Sequence, residues 1–262
     1  STPPEDKPLG VQLLGCEPNF ILRALDILEK YEFDLLDFNA ACPAKKVTRR
    51  GEGSSLLKEP KKLNQLLKLI VKNSSRPVSV KIRAGWDQDS LNAREAALYA
   101  QDAGISALFI HGRTKAQGYS GTVDYQVIKS VKDALEIPVI ASGDILSAAL
   151  AKKMFAETGC DGLAVARGSL RNPWIFKEIP AFIKDGKTLP HPDPQEVIRI
   201  MLEHLDMCAD FYGEKIGVVI FRKFIAWYTR GFRKIRPLRE KASRVKTKSE
   251  ILKLSADFLA AN

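Results

Sequence analysis

The sequence predicts a parallel α/β barrel followed by a small all-helical domain, on three observations. Short apolar runs of strand length recur, each followed by a helix-length segment with apolar residues three and four apart, which is the pattern of repeated βα units. Almost every run ends in a residue capable of chemistry, as in a barrel that gathers its site from the carboxyl ends of many strands. An open dinucleotide-binding sheet concentrates its signal in one glycine-rich turn instead, and no G-x-G-x-x-G follows the first run. From about residue 190 only helical periodicity remains.

Taken in order, strands are expected over residues 10–14, 35–39, 78–83, 107–111, 138–142 and 162–166, with helical patterns between them such as 20–28, 63–71 and 93–103, the last closed by Gly104. Their ends carry Gln12 and Cys16, Asn39 and Cys42, Lys81 and Arg83, His111 and Arg113, Ser142-Gly143-Asp144, and Arg167-Gly168. Backbone amides around Gly143 and Gly168 can approach an oxyanion closely, and Arg167 adds a charged fork. Two such turns on consecutive strands, ahead of residues 170–176 as a short extra helix, point to a phosphate-bearing cofactor. A TIM-type barrel places that site after its seventh and eighth strands. The six strands are therefore numbered three to eight, and the expected sheet is an open, incomplete barrel lacking its N-terminal βαβ portion.

The stretch 188–194, Thr-Leu-Pro-His-Pro-Asp-Pro, reads as a linker, which divides the chain into residues 1–188 and 189–262. Asp193, Pro194 and Glu196 fit N-cap, N1 and N3 of a helix over about 194–212; a second follows over 214–231, and a third starts at Thr247 with Glu250 completing a capping box. Residues 211–250 hold 12 Lys and Arg against 3 acids, nearly all of the formal net charge of +10. Phe221, Phe224, Trp227, Tyr228 and Phe232 are interleaved with these bases. A basic helical face for a polyanion is the simplest account, the other being a solvated lysine-rich surface over an aromatic core.

Composition narrows the class further. The 262 residues are 45% hydrophobic, no apolar run approaches membrane-spanning length, and residues 1–7 lack the apolar core of a signal peptide, so a soluble cytoplasmic protein is expected. The four cysteines have no Cys-x-x-Cys spacing, so free thiols are expected and no metal site.

The segment Asn39-Ala-Ala-Cys-Pro-Ala-Lys-Lys-Val47 resembles the Asn-x-Gly-Cys-Pro-x-x-Lys-Val motif of the tRNA-dihydrouridine synthases. Gly10-Val-Gln-Leu-Leu-Gly15, Val80-Lys-Ile-Arg-Ala-Gly-Trp86, His111-Gly-Arg-Thr-Lys-Ala-Gln-Gly-Tyr-Ser-Gly121, Ser142-Gly-Asp-Ile145 and Ala166-Arg-Gly-Ser-Leu-Arg-Asn-Pro-Trp174 look like that family's blocks in order, and Arg222-Lys-Phe-Ile-Ala-Trp-Tyr228 is similar to its helical tRNA-binding domain. The resemblance covers the chain from residue 8. It implies an FMN-dependent TIM barrel with a C-terminal helical domain that reduces the C5=C6 bond of a tRNA uridine with NADPH; a monomer is the expected state. Carried over, Gln12, Lys81 and His111 match flavin-ring contacts, Ser142, Gly143, Asp144, Ala166 and Arg167 match ribityl and phosphate contacts, and Cys42 matches the general acid. The sequence departs from the pattern at Ser142 (family Asn), at Ala41 and Ala166 (family Gly), and in lacking the Ala-Pro-Met flavin segment.

Uracil reduction needs a hydride at C6, which a reduced flavin provides, and a proton at C5, which a mostly protonated thiol such as Cys42 can give. Lys45, Lys46, Arg49 and Arg50 would stabilise the thiolate or hold RNA phosphates, and Gly51 and Gly53 would let that loop close over a base. A buried structural cysteine is the alternative for Cys42, and the only one entertained for Cys16, Cys160 and Cys208. Lys81 in an apolar strand needs an anion, either the N1–C2=O edge of reduced flavin or a carboxylate such as Asp37. His111 could donate to flavin or uracil, or be a satisfied core residue; His191 and His204 read as the latter. Asn39 and Arg113 are candidates to read the uracil carbonyls, and Arg222, Lys223 and Arg230 to hold tRNA. Two other functions fit the same residues, a barrel flavoprotein reducing a free pyrimidine or enone, and a non-catalytic RNA-binding relic.

Overall fold

The computed structural model describes residues 7–170, 172–232 and 236–260. Arg171 of the expected phosphate helix, Arg233 and Lys234 of the basic run, and the first six residues lie outside them.

Six strands form one sheet: β1 Gly10–Leu13, β2 Leu35–Asn39, β3 Val78–Arg83, β4 Ala107–His111, β5 Val139–Ser142 and β6 Gly162–Ala164. All pairs are parallel and the spatial order is the chain order, β1-β2-β3-β4-β5-β6. Between them run helices α1 Pro18–Leu28, α2 Lys45–Thr48, α3 Pro60–Asn73, α4 Ala93–Asp102, α5 Tyr125–Lys132 and α6 Ala148–Thr158. Proline opens α1 and α3, where its missing N–H costs nothing. The Asp124 carboxylate caps α5 by accepting from the amides of Gln126 and Val127, and Ser147 caps α6.

A strand alternates its side chains between two faces. On one face Leu36, Phe38, Val78, Val80, Ile82, Leu108, Ile110, Val139 and Ala141 are buried in a single core with Leu25 of α1, Leu63, Leu67 and Ile70 of α3, Ala96 and Ala100 of α4, Ile128 and Val131 of α5, and Met154 of α6. Covering a parallel sheet on one side, with strands in chain order, is barrel winding; a doubly wound sheet is covered on both. Among the described residues β1 and β6 have one neighbour each, so the barrel is incomplete, as expected.

The chain divides into two compact units, Ser1–Ala166 and Arg167–Asn262. The division precedes the one expected at 188, because α7 (Ile175–Asp185) counts with the second unit, where Glu196 of α8 faces Trp174 and Lys177. Of the short helix expected over 170–176, the described residues Leu170, Asn172, Pro173 and Trp174 are not helical, and Ile175 and Phe176 are helical as the start of α7. Pro173 removes an amide and disfavours helical geometry at Asn172, so the described residues before Ile175 turn instead.

The second unit continues with α8 Pro194–Tyr212, α9 Glu214–Tyr228, α10 Arg236–Ala242 and α11 Lys248–Ala260. Both predicted caps are present. The Asp193 carboxylate accepts from the Glu196 amide at 2.8 Å, while Thr247 Oγ1 accepts from the Glu250 amide and the Glu250 carboxylate accepts from the Thr247 amide. Ile198, Met201, Leu205, Phe221, Ile225, Leu238, Ile251 and Phe258 make the core, with Phe224, Tyr228 and Phe232 packed against it. These aromatics are thus core rather than a surface interleaved with the bases. No described helix is long and apolar enough to cross a membrane.

Candidate active site

The register gathers the chemistry onto the face that the helices leave uncovered. Gln12 pairs with Asp37, Asn39 with Lys81, Arg83 with His111, and His111 with Ser142. In-register residues share a face, and so do residues two apart. Gln12, Asp37, Asn39, Ser79, Lys81, Arg83, His111 and Ser142 therefore line one surface of β1 to β5, with Asn39, Arg83, His111 and Ser142 at the carboxyl ends of their strands.

A row of hydrogen bonds crosses that surface. Ser79 Oγ donates to Asp37 Oδ1 at 2.6 Å, Gln12 Nε2 donates to Asp37 Oδ2 at 2.6 Å, and Asn39 Nδ2 donates to Gln12 Oε1 at 2.7 Å. Asn39 Oδ1 then accepts from the backbone amides of Ala41 and Cys42, at 3.0 and 2.9 Å. One Nδ2 hydrogen of Asn39 remains for a carbonyl. Burial pushes the Asp37 carboxyl upward, opposed by its bonds to Ser79 and Gln12 and by the charge of Lys81.

Cys42 stands at the end of this row, held by its backbone on every side. The Cys42 carbonyl accepts from the Ser54 amide at 3.1 Å and from Ser54 Oγ at 2.9 Å, and Arg83 Nε donates to the Ala41 carbonyl at 2.8 Å. A Cβ on Gly53, whose φ is +59°, would lie 2.8 Å from the Cys42 oxygen. Gly53 is required for this close approach, rather than for the loop freedom that its sequence suggested. The thiol itself is half-buried and makes no hydrogen bond among the described residues. Cys16, Cys160 and Cys208 are buried, and burial raises all three thiols.

Arg83, given no role by the sequence, donates directly into this loop. Its buried guanidinium also donates to the carbonyls of Thr114 and Gly118, so it ties the loop after β2 to the loop after β4. Lys81 is half-buried with neither hydrogen bond nor ion pair among the described residues, so the salt bridge to Asp37 does not form. Burial, then the charge of Arg83, brings its ammonium down to about 8, with Asp37 pulling the other way. Burial and the charges of Arg83, Lys81 and Arg113 bring His111 down to about 3, so its imidazole is neutral. Arg113 Nη1 lies 3.5 Å from His111 Nε2, and a guanidinium can only donate, which leaves the imidazole proton on Nδ1.

Arg113 is a correction. Only 2% exposed, it grips both oxygens of Asp144 and donates to the carbonyls of Ser120 and Gly121. With His111 Nε2 this commits all five N–H groups and leaves none to read a uracil. Asp144, at φ +50°, is the other half of the brace. Ser142 Oγ donates to the Ile110 carbonyl at 3.1 Å, and a Cβ on Gly143 (φ +118°) would strike the His111 ring at 2.8 Å. Ala166 is exposed at the close of the first unit, and Arg167, also exposed, opens the second.

Of the expected RNA contacts, Lys45, Lys46, Lys223 and Arg230 are exposed. Arg222 is not free for a phosphate in the same way. Its Nε and Nη2 both donate to the Val245 carbonyl, pinning the turn between α10 and α11.

A family model described as dihydrouridine synthase matches residues 1–262. tRNA-dihydrouridine synthase B of Pasteurella multocida is 41% identical over 222 residues, covering 85% of this chain and 67% of that protein. A probable tRNA-dihydrouridine synthase of Rickettsia conorii is 41% identical over 221 residues (84% and 67%), and tRNA-dihydrouridine synthase B of Pseudomonas aeruginosa is 41% identical over 224 residues (86% and 68%).

Proposed function

The chain belongs to the dihydrouridine synthase family, and from that premise we propose that it reduces uridine in tRNA to 5,6-dihydrouridine, with FMN as its cofactor and NADPH as the electron donor. The observation that carries the reading is one polar sheet face that holds Lys81, an ammonium with no ion pair among the described residues, and leads through Asn39 to the loop of Cys42, a thiol with no hydrogen-bond partner among them. An anionic ring edge fits Lys81, because a buried cation at such a cost is stabilised by any negative charge brought to it. FMN, when bound, supplies the reducing equivalents for the C5=C6 bond.

The chain's own residues have the following parts. Lys81 faces the electron-rich edge of the flavin, and Gln12 and the Nδ1–H of neutral His111 offer it donors. Ser142 Oγ and the backbone of Gly143 lie at the next strand end, and Asp144 shapes that turn through Arg113; the family pattern assigns Ala166 and Arg167 to the phosphate. The free Nδ2 hydrogen of Asn39 meets a uracil carbonyl. Cys42 Sγ gives its proton to C5, and the guanidinium of Arg83, fixed beside the same loop, stabilises the thiolate left behind. A base stacked in folded tRNA must be turned out to reach this face, and the exposed bases Lys45, Lys46, Lys223 and Arg230 bind the backbone while it is.

The test is dihydrouridine formation in an unmodified tRNA transcript by protein supplied with FMN and NADPH, read by nucleoside mass spectrometry. Cys42→Ala should slow product formation by about 10²-fold or more while flavin binding is retained. Turnover of free uridine at the rate of tRNA would instead support a small-molecule reductase.

A further inference from the structure

We infer that Asp37 is a positioning residue that sets the direction of the hydrogen-bond row ending on the Cys42 loop. It touches neither the thiol nor any group assigned to substrate. Its influence follows from what each member of the row can do. An ionised carboxylate only accepts, so it obliges Gln12 to turn its NH2 toward Asp37 and its oxygen toward Asn39. Asn39 must then turn its own NH2 toward Gln12, which leaves Oδ1 facing the amides of Ala41 and Cys42. Both of those amides need an acceptor. One carboxylate thereby fixes the orientation of two amide groups that could otherwise flip, and through them the backbone of the loop that carries the thiol.

Ser79 completes the arrangement from the other side. Fully buried, it donates to Asp37 Oδ1, so both carboxylate oxygens are engaged and the carboxylate plane is held. Replacing Asp37 by asparagine keeps the shape but permits a donor where only an acceptor stood. The row can then run backwards, with Asn39 presenting NH2 to two backbone N–H groups. That arrangement is repulsive and releases the loop.

The inference takes its catalytic meaning from the proposed function, but its test requires neither flavin nor tRNA. Cys42 is the one half-exposed thiol among four, the other three being buried, so the alkylation rate by iodoacetamide, located by peptide mapping, reports on its loop. Asp37→Asn should raise the Cys42 rate about fivefold, the population change expected from losing one hydrogen bond. Gln12→Leu, which cuts the row at an exposed residue, should do the same and serves if Asp37→Asn does not fold.

The decisive variant is the double substitution Asp37→Asn with Gln12→Glu. It moves the carboxylate one place along the row, restores an obligate acceptor opposite Asn39 Nδ2, and should return the rate to that of the wild type. A Cys42 rate unmoved by Asp37→Asn would overturn the inference, and so would a double variant no slower than the single one, since Asp37 would then act only as bulk or charge. A protein whose thiol responds as stated but which makes no dihydrouridine would overturn the proposed function and leave this inference standing.

Discussion

Lys81 and His111 both make stability rise with pH, in separate windows, and both can be read in unfolding experiments. Below about pH 8 the Lys81 ammonium is charged in the folded and unfolded chain alike, so the cost of burying it is fully present; between about 8 and 10.5 the folded chain sheds the proton and the unfolded chain keeps it, so stability rises. Lys81→Met should therefore stabilise the protein at neutral pH by up to about 3 kcal/mol, an upper limit set by the shift, with the gap to wild type closing toward pH 10.5. Urea unfolding of both proteins at the two ends of that window checks it. His111 stays neutral down to about 3 when folded but takes a proton near 6.5 when unfolded, so it makes the protein less stable as pH falls through that interval. His111→Asn should flatten this part of the acid-unfolding curve; an unchanged slope would mean that other groups dominate it. These residue types and their place at strand ends were legible in the sequence, because a period of two and a register fix which residues share a face. Partners were not. A sequence displays Arg113 and Arg222 as charges, but nothing in it says that one spends its donors on Asp144, His111 and neighbouring loop carbonyls and the other grips Val245. Ser79 escaped for the same reason, and Asp37 was considered only as a partner for Lys81, since the importance of both lies in whom they hydrogen-bond.

Elements differed in legibility according to how much of their stability is local. The strands of β2, β3 and β4 coincide with the expected ranges, because every second residue is apolar and buried in the one core, which gives each run a clear period of two. The runs at 10–14 and 162–166 shorten to Gly10–Leu13 and Gly162–Ala164, at the two strands that have a single neighbour. Helix α10 was not anticipated. It has seven residues, and among those whose burial is described only Leu238 and Ala242, one helical turn apart, are buried, too little periodicity to register. Capping boxes, in contrast, are local chemistry and were read correctly. Thr247→Ala should cost about 1 kcal/mol, checked by denaturant titration of the whole chain. The Arg113–Asp144 brace joins the loops after β4 and β5, and its loss leaves a guanidinium buried without its counter-charge. Asp144→Ala should cost about 2 kcal/mol, discounted because the carboxylate is 32% exposed, and no loss of stability would show that the loop carbonyls suffice for Arg113.

For the whole molecule the deciding quantity is charge that has no internal partner. The basic run of the second unit gave the right sign in the sequence but overstated the number of bases available, because Arg236 pairs with Glu240, Lys248 with Asp206, and Arg222 and Arg239 donate to carbonyls. Lys223 and Arg230 are exposed and have no such partner among the described residues. If they bind tRNA phosphates, each releases about one counterion, so replacing both by alanine should lower the slope of log affinity against log salt by about 2. Arg222→Ala makes the contrasting case. It frees the Val245 carbonyl and should lower the unfolding midpoint of the protein while leaving the salt slope of tRNA binding unchanged. A filter-binding titration of the wild type and these two variants across a range of salt separates the two roles. Equal slopes for all would place the phosphate contacts elsewhere, with Lys45 and Lys46 beside the Cys42 loop the next to be replaced.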